Sequence, residues 1–148
     1  MTTNRLAKLS TVSLRGTGIL VTSKPARPRG VVAALRCALR GLRDAWASQP
    51  NLRIHASFGG CLLALGVWCR LAVTDWLWVS FAIGLVIFAE LMNTAIEETV
   101  DLVVGLRPDP LARRIKDISA GCVLVAALLA IVIQSLTFVP HLVSAFVH

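Results

Sequence analysis

The sequence predicts an all-α membrane protein, with one amphipathic helix on the bilayer surface followed by three membrane-spanning helices. Three observations carry this. Of the 148 residues 56% are hydrophobic, and the mean hydropathy of +0.74 is too high for a soluble domain of this size. The apolar residues are spread along the chain rather than gathered into a single anchor, and most charged residues fall between the apolar stretches. The Lys and Arg residues are also unevenly placed, as expected of a polytopic protein. A net charge of +7 could mean nucleic acid, but no aromatic-basic interleaving accompanies it, so nucleic acid is excluded as a partner. Cys37, Cys61, Cys69 and Cys122 show no metal-type spacing, and Cys61 and Cys122 sit in apolar runs where cysteine acts as a small hydrophobe.

Residues 1–30 contain no acid, are rich in Ser, Thr, Lys and Arg, and end in KPARPRG, which proline and glycine keep from forming a regular helix. They read as a flexible basic tail. The composition also resembles an organelle transit peptide, and GILV is too short for a secretory signal. The remainder, 31–148, reads as one membrane domain.

From 31 to 48, Leu35, Leu39, Leu42 and Trp46 share one helical face, with Arg36, Arg40 and Arg43 along its flank. This suits an interfacial helix with its apolar side in the headgroup boundary; packing on a partner helix is the competing reading. Pro50 ends or kinks this helix, and Asn51 is placed to cap the next. The first span covers about 54–73, where Gly59, Gly60 and Gly66 allow close packing and Arg70 can reach the interface. A short link makes an antiparallel hairpin with the second span, 76–104. In the second link Asp109 can be an N-cap and Pro110 the first helical residue of the third helix, 111–138, which Pro140 follows.

Ten of the fifteen Lys and Arg residues precede the first span, one lies in the first link, four lie in the second link and the helix start after it, and none follows. The positive-inside rule therefore places the N-terminus and the second link in the cytoplasm and the C-terminus outside.

The second span begins as a membrane helix and turns into an acidic stripe. Glu90, Asn93, Glu97 and Asp101 recur at spacings of three and four, on one helical face. Glu90 lies roughly 20 Å along the helix from Trp76, near the far side of a hydrocarbon core about 30 Å thick. An ionisable group at that depth is costly and is a functional candidate by default. Glu98, off the stripe by one residue, marks where the helix leaves the lipid. Beyond the short loop, Arg113, Arg114, Lys116 and Asp117 occupy the opening turns of the third helix. These cations are either ordinary anchors or, beside a helix N-terminus, an anion site. Carboxylates for a divalent cation, one deeper acid and a cationic helix start suit phosphoryl transfer at a membrane surface, although neither a GxxxxGK[ST] loop nor the protein-kinase motifs are present.

AELMNTAIEETVD in the second span and ARRIKDISAGCVLVAAL at the entry to the third, with LRGLRDAW and NLRIH upstream, resemble the prokaryotic diacylglycerol kinase family, which includes the undecaprenol kinases. The resemblance covers Val31 to Gln134, and NLRIH leans toward the undecaprenol kinase branch. It implies a homotrimer in a bacterial-type plasma membrane, with active sites shared between subunits, that uses ATP and Mg2+ to phosphorylate a lipid alcohol. Carried over by the resemblance, Glu90 is the general base, Asn93 supports the phosphates and Glu97 ligates metal. Lys116 contacts the ATP phosphates, and Asp101 and Asp117 support the nucleotide site. One position departs from the family pattern, which has a glutamate as second metal ligand just before the first span. Gln49 stands there, and an amide oxygen can bind magnesium only without the charge.

The sequence thus points to a lipid kinase acting on diacylglycerol or undecaprenol. Two alternatives stay open. One is a small proton-coupled transporter with Glu90 as the proton carrier; the other is a catalytically silent relative, motivated by Gln49.

Overall fold

The computed structural model describes residues 30–105 and 107–147, with side-chain environments through Ser144. The tail expected over 1–30 lies outside the described residues except for Gly30. Among the described residues there are four helices: α1 (Val31–Ser48), α2 (Pro50–Trp68), α3 (Val73–Val104) and α4 (Pro110–Val147). The chain divides into two compact units, 1–39 and 40–148.

α1 carries its leucines at helical spacing, yet none of its residues is buried. The join to α2 differs from the expectation that Asn51 would cap. Gln49 is the N-cap, in extended conformation at φ −105° and ψ 106°, and Pro50 opens the helix. The residue before a proline is pushed out of the helical region, while proline fits the first helical position, where its missing N–H costs nothing. The Gln49 side chain makes no capping bond.

The expected first span to 73 also ends early, at Trp68. The Arg70 N–H donates to the Val67 carbonyl (3.1 Å) and the Leu71 N–H to the Gly66 carbonyl (3.2 Å), the paired bonds that close a helix through a left-handed residue. That residue is Arg70, at φ 52°. α3 then starts at Val73, with the Asp75 carboxylate accepting the Ala72 N–H (3.3 Å).

α4 passes through Pro140 and continues to Val147, beyond the expected end near 138. Proline removes one helical bond without forcing the chain out of helix, and local polar groups adapt around it. The His141 Nδ1 lies 2.9 Å from the Thr137 carbonyl.

Within the second unit, α3 packs against both α2 and α4, and most extensively against α4. Two glycines permit the α2 contact: a Cβ on Gly59 would lie 2.9 Å from Ile83, and one on Gly66 2.9 Å from Trp76. Gly60 has open space around it. The apolar core is small, centred on Leu71, Val79 and Phe138 with Leu62, Leu65, Trp76 and Ile83 against it. Phe88, Leu124, Leu128, Ile131 and Val132 are all exposed by half or more. A soluble chain would bury such side chains, whereas lipid is as apolar as they are. α3 and α4 are long and apolar enough to cross a membrane.

Candidate functional site

The stripe on α3 faces α4, and burial declines along it. Glu90 is 3% exposed and Asn93 8%, Glu97 is half-buried, and Asp101 is exposed. Helical spacing produces this order, because each step of three or four residues moves toward the end of the α3–α4 contact while keeping to one face. The Glu90 carboxylate takes no hydrogen bond among the described residues; its main-chain carbonyl accepts one from the Thr94 hydroxyl (3.0 Å).

One turn on, a polar relay crosses between the helices. Ser119 Oγ donates to Asn93 Oδ1 (2.6 Å), and Asn93 Nδ2 donates to Glu97 Oε1 (3.1 Å). Ser119 is only 4% exposed, so water competes little for these bonds. Sequence reading missed Ser119. It stands three residues after Lys116, on the face of α4 that carries the cation, and that spacing was its available signal.

Further along, Lys116 Nζ meets Asp101 Oδ1 at 2.6 Å. This pair lines a cavity of about 260 Å³ together with Arg107, Asp109, Arg113 and Asp117. Three cations and three carboxylates line it. Asp109 is committed to structure, accepting the N–H groups of Leu111 (2.8 Å) and Ala112 (2.9 Å) as the cap of α4, the role its place before Pro110 predicted. Arg113 lies 3.8 Å from Asp117 in an exposed pair one turn apart, which holds neither side chain firmly. Cations with ready counter-ions give a site that can take up a polyanion by exchange of partners.

Of the sequence candidates, the fold therefore joins Asn93 to Glu97 and Lys116 to Asp101, and it places Asp117 on the same cavity. Glu90 lies one turn beyond the relay, toward the apolar side. Gln49 is not joined to them: among the described residues no hydrogen bond links it to Glu97, and it does not line this cavity. Among the described residues no cluster of three or more His, Cys, Asp or Glu side chains is close enough to hold a metal ion.

The prokaryotic diacylglycerol kinase family model matches residues 36–138. Similar proteins include an undecaprenol kinase of Bacillus subtilis, 36% identical over 103 residues that cover 70% of this chain and 83% of that one. A diacylglycerol kinase of Synechocystis is 34% identical over 117 residues, 79% of this chain and 67% of the relative. A diacylglycerol kinase of Escherichia coli K12 is 32% identical over 105 residues, 69% and 83% of the two chains. The match spans α2, α3 and most of α4, so it takes in both sides of the polar relay and the cation-lined cavity beyond it. This chain belongs to the prokaryotic diacylglycerol kinase family.

Proposed function

We propose that the protein is an ATP-dependent lipid kinase that transfers the γ-phosphate of ATP to an uncharged lipid alcohol, diacylglycerol or undecaprenol. The observation that carries this is the order of groups along α3 and α4. A buried carboxylate, Glu90, borders the apolar part of the bundle, and the Lys116–Asp101 cavity lies farther along at the polar end. A lipid alcohol without a charged headgroup can bring its hydroxyl to Glu90 while its chain stays in hydrocarbon, and a nucleotide can approach only from water.

In this reading Glu90 accepts the hydroxyl proton as the lipid oxygen attacks the γ-phosphorus, and the bond from that phosphorus to the β–γ bridging oxygen breaks to leave ADP. Lys116 releases Asp101 to take phosphate oxygens, and Asp101 and Asp117 steady the rest of the nucleotide. Asn93 orients the groups beside the phosphates. The donor set fits magnesium held jointly by protein and nucleotide rather than in a closed protein cage. Glu97 gives one oxygen to Asn93, and the other accepts no hydrogen bond among the described residues. Magnesium commonly takes one or two carboxylates together with phosphate oxygens and water. Glu97 would hold it, with Gln49 as a neutral second ligand. When bound, the ion would neutralise charge on the transferring phosphate.

The membrane arrangement belongs to the same proposal. α2, α3 and α4 each span the bilayer with the N-terminus cytoplasmic, and three copies share their sites. The exposed apolar faces of α3 and α4 support an assembly in which a neighbour completes the site.

Purified protein in mixed micelles, given labelled ATP with each lipid separately, tests the proposal. Label in one lipid product, dependent on magnesium, is expected and also identifies the acceptor. A folded protein that labels neither lipid overturns it.

A further inference from the structure

We infer that Ser119 is a positioning residue, holding the Asn93 amide in the one orientation that lets it donate to Glu97. The inference rests on the kinase reading above for its consequence, and on geometry for its existence.

A side-chain amide has an accepting end and a donating end. Ser119 Oγ approaches the accepting end at 2.6 Å, and the donating end reaches Glu97 Oε1 at 3.1 Å. Turning the amide over would place its oxygen against a carboxylate oxygen, two acceptors facing each other. It would also leave the serine to donate elsewhere, and the Lys116 carbonyl, 2.9 Å from Ser119 Oγ, is there to receive it. The hydroxyl has a single proton and two acceptors within reach. Donation to Asn93 is the shorter bond and the one that agrees with a charged Glu97. Glu97, which can only accept, selects this amide orientation, and Ser119 holds the amide in it by donating to the end that faces α4. With Oε1 fixed in this way, Oε2 is the oxygen left to meet a cation.

Removing the hydroxyl leaves Asn93 Oδ1 buried without that donor, so the amide loses one of the two contacts that hold it in place. The Glu97 rotamer then loosens, while Glu90 and the apolar bundle are untouched. The effect falls on the cation and not on the lipid.

The test uses the intact protein in detergent micelles with Mn2+ as a spectroscopic stand-in for Mg2+ and a non-hydrolysable ATP analogue. Binding is followed by electron paramagnetic resonance, alongside a Mg2+ titration of lipid phosphorylation. Ser119→Ala is expected to weaken Mn2+ binding about three- to tenfold, the worth of one hydrogen bond. The Mg2+ requirement should rise in parallel, with the KM for lipid unchanged. Ser119→Thr, which keeps the hydroxyl, should return both values to within about twofold of wild type. A folded Ser119→Ala protein that binds Mn2+ as tightly as wild type overturns the inference, and so does failure of the threonine variant to restore what alanine loses. Wild-type protein that binds Mn2+ with the nucleotide but phosphorylates neither lipid overturns the kinase reading instead, and the comparison of variants by Mn2+ binding still decides the role of Ser119.

Discussion

The two ends of the α3–α4 pair use the same helices for opposite purposes. Toward Val73 the contact is mostly apolar, with Val79 fully buried and Phe138 4% exposed, and its polar contacts among the described residues are Gln134 with the Val79 carbonyl and His141 with Asp75. Toward Val104 it is polar, with Glu90, Asn93 and Ser119 all under 9% exposed and linked in part by hydrogen bonds. Close packing supplies most of the holding at the first end, since lipid gives apolar side chains no reason to leave it other than better contacts. The second end spends buried volume on groups that stabilise little and can react. Stability and chemistry are therefore separable by position along one helix pair.

Substitutions at the two ends should separate in the same way. Glu90→Gln keeps shape and removes the base, so lipid phosphorylation should fall by about 100- to 10,000-fold with no loss in thermal midpoint. A variant retaining half the wild-type rate would sink the assignment. Phe138→Ala should do the reverse, costing about 3–5 kcal/mol of stability while the rate per folded molecule holds; thermal unfolding in micelles, paired with assays below the transition, checks it. If activity falls at temperatures where the variant stays folded, the two ends are coupled.

Lys116→Ala lies farther toward the polar limit. It should raise the KM for ATP about tenfold, as loss of a charge-assisted hydrogen bond does, with the lipid KM unaffected. The opposite pattern would show nucleotide and lipid assigned to the wrong ends. The smallest effect belongs to Gln49→Glu, which should lower the half-saturating magnesium concentration by roughly two- to fivefold, the worth of one accessible charge. Superimposable magnesium curves would remove position 49 from the metal site, and a silent wild type awakened by the substitution would show that the missing charge had abolished activity.

How far the chain could be read in advance follows from how local each cause is. The acidic stripe was legible because spacings of three and four fix a helical face whatever lies opposite. The Asp109 cap was legible because aspartate before proline is a local signature. The N-cap at Gln49 is just as local, but Asn51 is the better capping type and the backbone restraint imposed by Pro50 outweighed it. The end of α2 was hidden because it needs a left-handed residue and the chain supplies Arg70 in place of the usual glycine. Ser119 was not legible as a partner of Asn93, since the two stand 26 residues apart and only the pairing of α3 with α4 brings them together.

Pro140 gives the bundle a built-in gauge of depth. Its missing N–H takes away the helical partner of the Leu136 carbonyl, and a carbonyl so released is tolerated in the bilayer only where water, headgroups or other polar groups can meet it. In the proposed arrangement across the bilayer, the Leu136 backbone would therefore sit at an edge of the hydrocarbon. Measured back along α4 from that mark, twenty residues at about 1.5 Å each span roughly 30 Å, one hydrocarbon thickness, and end at Lys116. With α4 spanning the bilayer as proposed, a single proline near one surface would set the height of the lysine at the other, and a shift of α4 by one turn would either strand the carbonyl in oil or pull the ammonium down after it.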